Sequence, residues 1–204
     1  MSAISVSPGQ KEAIGRLIET DFVHSALRLE GSELSDEHLT GTIEAYRAVR
    51  ALAELNGAQA ELSLDLLSRL GEAGGGVRKG PAVTSPVAAE HLPLILEGAC
   101  RWFNAESFAE LNPAEQAAIV LLRLIELRPF EQANERLALV AASLFTMRSG
   151  LPPIIIRPEQ RDRYLDAVDE GLRANTKLLV ELIAESLERG LARMIEAIER
   201  DQDQ

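Results

Sequence analysis

Two arginines bracket the stretch best equipped for chemistry, Arg128-Pro129-Phe130-Glu131-Gln132-Ala133-Asn134-Glu135-Arg136. It lies between two long apolar segments of helical spacing, so it reads as a loop joining two helices, with Asn134 as an N-cap residue. A helix start offers backbone N–H groups and the positive end of the dipole, which together hold anions. The Arg128 guanidinium can grip an anion, or pair with Glu30 or Glu135, but it is permanently protonated and cannot take a proton. Gln132 is neutral and a poorer ligand than a carboxylate for a hard divalent cation. Glu135 falls in the first helical turn, where a carboxylate is itself favoured. It is read as filling the anion site from within, partnered by Arg128 or Arg136. Phe130 reads as a core anchor, and Arg136 as either a surface ion pair or a phosphate contact.

The elements that must position this loop are nearly all helical. Ile14, Leu17, Ile18, Phe22, Ala26 and Leu29 recur every three or four residues and stop at Gly31. Ser35 with His38 opens a second helix (Leu39, Ile43, Tyr46, Val49, Ala53) that ends at Asn56-Gly57, and Ser63 precedes a short third. Gly74-Gly75-Gly76 is a break, and residues 76–85 read as a flap with at most a short β-hairpin. Helical spacing resumes at Leu92 and runs to Trp102-Phe103, both read as core. Asn112-Pro113 caps a helix from Ala117 to Leu127 that is apolar on nearly all sides, as is Leu137 to Met147. Such helices lie at the centre of a fold. Ile154-Ile155-Ile156 is short and β-branched, Pro158 opens another helix, and a last one spans Thr176 to about Glu199. The expectation is all-α, one domain over residues 1–204, with N-terminal helices in 1–73 and a core in 86–204.

Composition excludes several classes. A net charge of -11 argues against nucleic acid and against anionic membrane surfaces. No apolar run approaches the length of a membrane span. The single cysteine, Cys100, cannot form an internal disulfide, and the N-terminus has no signal-peptide pattern, so a cytoplasmic location is expected. His24, His38 and His91 share no ligand spacing with one another or with Cys100, so no metal site is expected.

The 128–136 loop resembles the signature of the Fic (Fido) family of nucleotide transferases, His-x-Phe-x-Asp/Glu-Gly-Asn-Gly-Arg-x-x-Arg. Phe130, Asn134 and Arg136 match it. Arg128 stands at the histidine, Gln132 at the metal-binding acid, Ala133 and Glu135 at two glycines, and Leu139 at the last arginine. Flanking pieces add to the likeness over roughly residues 22 to 195. These are Leu111 to Ala118 leading into the loop, Ser149 to Ile154 after its helix, and Arg163-Tyr164-Leu165-Asp166-Ala167. The segment 26–31 is similar to the family's inhibitory helix end, with Glu30 at the glutamate and Ala26 where serine or threonine stands.

The resemblance implies transfer of AMP from ATP to a protein hydroxyl, with the histidine as general base. Here that base is absent, and the inhibitory glutamate loses its arginine at Leu139. The chain is therefore expected to be catalytically impaired, a binding or regulatory protein, with ATP and magnesium only if the altered groove still binds. Nucleotide or anion contacts would fall on Arg128, Ala133, Asn134, Glu135 and Arg136. A protein partner would dock on the flap through Val77, Arg78 and Val83, and a homodimer is implied by resemblance alone. Two alternatives stay open: a competent transferase using Glu131 or a residue of the 74–85 loop as base, and an unrelated helical interaction domain.

Overall fold

The computed structural model describes residues 7–31, 35–82 and 85–202, so Val83 and the Ser32-Glu33-Leu34 end of the upstream motif lie outside it. Among the described residues the fold is all-α. The helices are α1 (Pro8–Glu30), α2 (Asp36–Asn56), α3 (Leu64–Glu72), α4 (Leu92–Phe103), α5 (Glu106–Ala109), α6 (Pro113–Leu127), α7 (Asn134–Met147), α8 (Arg161–Leu172) and α9 (Lys177–Gln202).

Their starts follow side-chain chemistry. The hydroxyls of Ser35 and Ser63 accept from the N–H groups of His38 and Leu66. Asn112 accepts from Ala114 and Glu115 while Glu115 reaches back to the Asn112 N–H, a capping box ahead of Pro113. Gly31, at φ 75°, closes α1 in the left-handed conformation that glycine adopts without steric penalty.

Helices α6 and α7 pack against each other at the centre, with α2, α1 and α9 around them. Both are buried on almost every face, from Ala117 to Leu127 and from Leu137 to Thr146. One contiguous apolar core runs from Phe22 to Leu187. Phe145 meets Phe103 and Phe108 edge to face within it, and those two rings are tilted against each other. Trp102 departs from expectation: it is half exposed, leaning its ring on Phe108. The α9 stripe is buried only as far as Leu187, and Leu191 beyond it is exposed.

The β-branched triplet at 154–156 is not a strand. It threads between α7 and α9, and two buried serines supply what a sheet would have supplied. Ser143 Oγ accepts from the Ile154 N–H at 3.1 Å. Ser186 Oγ accepts from the Ile155 N–H at 2.8 Å and donates to the Ile155 carbonyl at 3.0 Å. A buried peptide left without these partners keeps its desolvation cost. Ser186→Ala is therefore expected to cost about 1–3 kcal/mol. Urea unfolding followed by circular dichroism checks this, and an unchanged midpoint would contradict the role given to Ser186.

Candidate functional site

The loop between α6 and α7 is built against the glycine break after α3. Gln132 N–H donates to the Gly74 carbonyl (2.9 Å), Glu131 N–H to Gly76 (3.1 Å) and Arg78 N–H to Pro129 (2.9 Å). These bonds frame a single antiparallel bridge, Val77 to Phe130. Among the described residues this bridge, rather than a hairpin within 76–85, is what the flap forms. A Cβ on Gly74 would lie 2.5 Å from the Gln132 carbonyl oxygen, so the close approach of the two backbones requires glycine there. Phe130 fills the core beneath, 1% exposed, as its anchor reading expects.

Arg78 corrects the flap reading. Its guanidinium is not offered to a peptide but is turned inward and buried. Nε donates to the Arg128 carbonyl at 2.8 Å, and the terminal nitrogens donate to the carbonyls of Gly80 (2.9 Å) and Val87 (2.6 Å). Ser85 Oγ donates to the Leu127 carbonyl at 2.9 Å. Arg78 is thus a cation set at the C-terminus of α6, where the dipole is negative and the last carbonyls lack helical partners. Sequence inspection missed this role, and nothing in the local pattern around Arg78 signals it.

Asn134 also departs from its reading. The residue capping α7 is Ala133, at φ 59°, with no side-chain cap bond. Asn134 instead turns back onto Phe130: its Oδ1 accepts from the Phe130 N–H (2.9 Å) and its Nδ2 donates to the Phe130 carbonyl (2.8 Å). It is a buried clasp of the loop.

Arg136 is not on the surface. It is 2% exposed and forms an ion pair with Glu30 at 2.8 Å, joining α7 to the end of α1. The inhibitory-type glutamate therefore has an arginine partner, although not at the position the resemblance implies. Leu139, at that position, is buried in the core. Burial pushes the Arg136 guanidinium below its usual range, and Glu30 opposes that. Its Nε and the Tyr164 hydroxyl are buried with no hydrogen-bond partner among the described residues. Burial, with the nearby carboxylates of Glu135 and Glu30, holds that tyrosine hydroxyl well above its ordinary range.

Glu135 sits half-buried beside this pair. Burial, and then the negative charge of Glu30, raise its carboxyl above the usual range, with Arg128 and Arg161 pulling the other way. Of the partners proposed for it, Arg128 is the cation acting on it, joined by Arg161, which sequence inspection missed. Arg161 also donates to the Leu29 carbonyl at 3.0 Å.

Arg128 is left-handed at φ 44°, the C-cap of α6, and lines a cavity of about 320 Å³ with Phe130, Glu131 and Asn134. Across the loop, Gln132 and Arg136 line a second cavity of about 530 Å³ with His38 and Arg69.

The same segment matches a family model described as Fic/DOC family, over residues 49–146. The chain carries a Fic domain. The protein adenylyltransferase fic-1 of Caenorhabditis elegans is 31% identical over 119 residues, 58% of this chain and 23% of that protein. The chain therefore spans less than a quarter of the curated relatives it matches. A solved structure of C. elegans Fic-1 superposes with a TM-score of 0.81 at 22% identity, covering 95% of this chain and 66% of that one. IbpAFic2, solved covalently tethered to Cdc42, matches with a TM-score of 0.56 at 17% identity over 91% of this chain and 72% of that one.

The donor set of this Fic loop does not suit a divalent cation. Gln132 brings no charge, the Glu131 carboxylate accepts from the Lys79 N–H at 2.8 Å, and no three His, Cys, Asp or Glu side chains converge among the described residues. Nor does the α7 N-terminus suit a polyphosphate, because Glu135 and Glu30 already bring carboxylates to that end.

The two glutamates should respond oppositely to neutralisation. Glu30→Ala strands a buried guanidinium and is expected to cost about 3–5 kcal/mol. Glu135 has a raised folded-state pKa, so the folded chain binds its proton more tightly than the unfolded chain and stability falls as pH rises through the folded value. Glu135→Gln is therefore expected to raise Tm at neutral pH, by about 2–4 °C per kcal/mol regained. That gain should shrink as pH falls into the ordinary carboxylate range. Thermal unfolding of both variants across pH checks this, and a neutral-pH Tm for Glu135→Gln below the parent would contradict it.

Proposed function

We propose that this Fic domain has lost base-dependent AMP transfer and acts as a binding or regulatory relative of the protein adenylyltransferases. The observation that carries the reading is Arg128. It stands at the position that the motif resemblance assigns to the proton-abstracting histidine, and a guanidinium has no lone pair to accept a proton at working pH. Glu131, the alternative base, already accepts from the Lys79 N–H through one of its two oxygens. Glu135 in the first turn of α7 adds electrostatic repulsion against incoming phosphates, and Arg136 is held by Glu30.

Binding of a protein segment is supported by the flap edge. The bonds around the Val77–Phe130 bridge come from the flanking residues, so the N–H and C=O of Val77 point away from the loop. An extended peptide could add there by main-chain pairing, with Val77 rather than Arg78 at the contact. The tethering of IbpAFic2 to Cdc42 is in keeping with a protein ligand for a Fic-type surface.

The test is incubation with labelled ATP, magnesium and a cell lysate, beside an Arg128→His/Gln132→Asp/Ala133→Gly/Glu135→Gly version. Leu139 is left unchanged because it is core, and a buried arginine there would confound the result. The native chain is expected to transfer no label and the repaired chain to transfer some. Transfer by the native chain would overturn the inactive reading. Calorimetry should show ATP binding tightened by Glu135→Gly, by roughly tenfold for removal of one carboxylate facing the phosphates.

A further inference from the structure

We propose that the hollow between α1, α9 and the 155–160 segment binds a small molecule bearing a phosphate group. The cavity measures about 360 Å³, and its charged lining is Asp21, Arg157, Glu159, Arg189 and Arg193, with the hydroxyls of Ser25 and of Ser186, the latter committed to Ile155. No residue of the 128–136 loop belongs to it, so it is a site apart from the Fic motif.

The charge accounting singles out two of these arginines. Arg193 is matched by Asp21, with Nε 2.7 Å from the carboxylate. Arg189 is not matched in this way. Its carboxylate neighbour, Glu185, stands 3.8 Å away, and both Glu185 oxygens are taken by Arg163 at 2.6 and 2.7 Å. Arg189 instead donates to the neutral Gln160 Oε1 at 2.9 Å. Arg157 forms no ion pair among the described residues. Arg157 and Arg189 thus line one cavity, Arg189 with only the long 3.8 Å contact to Glu185 as an ion pair. Burial, with the nearby Arg157 cation second, pushes the Arg189 guanidinium below its usual range. Glu159 contributes one carboxylate at the exposed rim.

A chain of net charge -11 has acids to spare. An internal ion pair would nonetheless leave no reason for the Arg157–Arg189 juxtaposition, whereas a doubly charged oxyanion bridging the two would offset it. Guanidinium forks suit phosphate oxygens because two parallel N–H donors meet two acceptors. The Ser25 hydroxyl, half-buried on α1 with no hydrogen bond among the described residues, supplies a further donor. The volume lies in the range of about 300–1,000 Å³ usual for small-molecule sites. It exceeds what a bare oxyanion fills, so the phosphate comes with a small organic body.

Isothermal titration of the full chain with inorganic phosphate and, separately, with O-phosphoserine tests the site. Four variants accompany it: Arg157→Ala and Arg189→Gln in the hollow, Arg128→Ala in the motif loop, and Arg173→Ala on the exposed surface. Saturable binding is expected, tighter for the phosphomonoester. Each hollow variant should weaken it by roughly tenfold or more, as removal of a charge-assisted donor does. Arg128→Ala and Arg173→Ala should leave it unchanged. Loss in Arg128→Ala with retention in Arg157→Ala would place the anion in the motif loop and overturn the proposal. Equal affinity in all four variants, or no heat at millimolar ligand, would do the same. Arg157 is exposed, so its alanine variant is expected to keep the fold and decides the matter if Arg189→Gln is unstable.

Discussion

The end of α6 lies inside the protein, and its last carbonyls must find donors there. Water reaches them poorly, and a helix leaves its final carbonyl groups without intrahelical partners. Arg78 and Ser85 meet that demand, reaching Arg128 and Leu127 from fifty and forty-two residues earlier in the chain. To bring them there, the 74–78 backbone must run alongside the motif loop, which is why Gly74 sits against the Gln132 carbonyl. A buried arginine without a carboxylate would ordinarily be costly. Here the charge meets the negative end of a helix dipole and a ring of carbonyl oxygens, so the cost is largely offset. The geometry of the motif loop follows from this one satisfied helix end.

The loop so held opens and closes on non-glycine residues in the left-handed region, Arg128 at φ 44° and Ala133 at φ 59°. Each costs on the order of 1–2 kcal/mol relative to ordinary backbone. Such strain persists where surroundings over-determine it. The surroundings here are the Arg78 clamp at one end and the Asn134–Phe130 clasp at the other, with the Phe130 ring locked in the core. A loop stabilised by its own bonds does not depend for its shape on the side chains it presents. That is how Arg128 and Gln132 stand in this loop without disturbing its frame.

The helices, and the centrality of α6 and α7, were legible because burial imposes a period that the residue types record directly. The caps at Ser35, Ser63 and Asn112 were legible because each bond is local. The failures have one thing in common: partners that the local residue pattern does not specify. Arg78 reads as a docking residue of the flap because the α6 carbonyls it serves lie about fifty positions away. Asn134 looked like a cap, since its local alternative was a loop backbone whose path no propensity describes. Trp102 followed the apolar period, yet α5 leaves one side of its ring open. The Ile154–Ile156 triplet showed only its β-branched composition. Its hydrogen-bond partners are two serine hydroxyls on separate helices, which carry no pattern at all.

The pairing of Glu30 with Arg136, rather than with a residue at 139, has a physical logic of its own. Glu30 ends α1, where the dipole disfavours a carboxylate, so it needs a cation close by. Position 139 lies one helical turn deeper along α7, in the packed interior, and leucine there avoids burying a second charge. Arg136, nearer the helix start, reaches Glu30 while keeping its own terminus at the edge of the cavity. The pair then fixes α1 across the N-terminus of α7, with Glu135 adding a second negative charge. An anion entering that terminus would have to displace Glu30 from Arg136 and also face Glu135. Both obstacles are set by residues of this chain, independently of what stands at position 128.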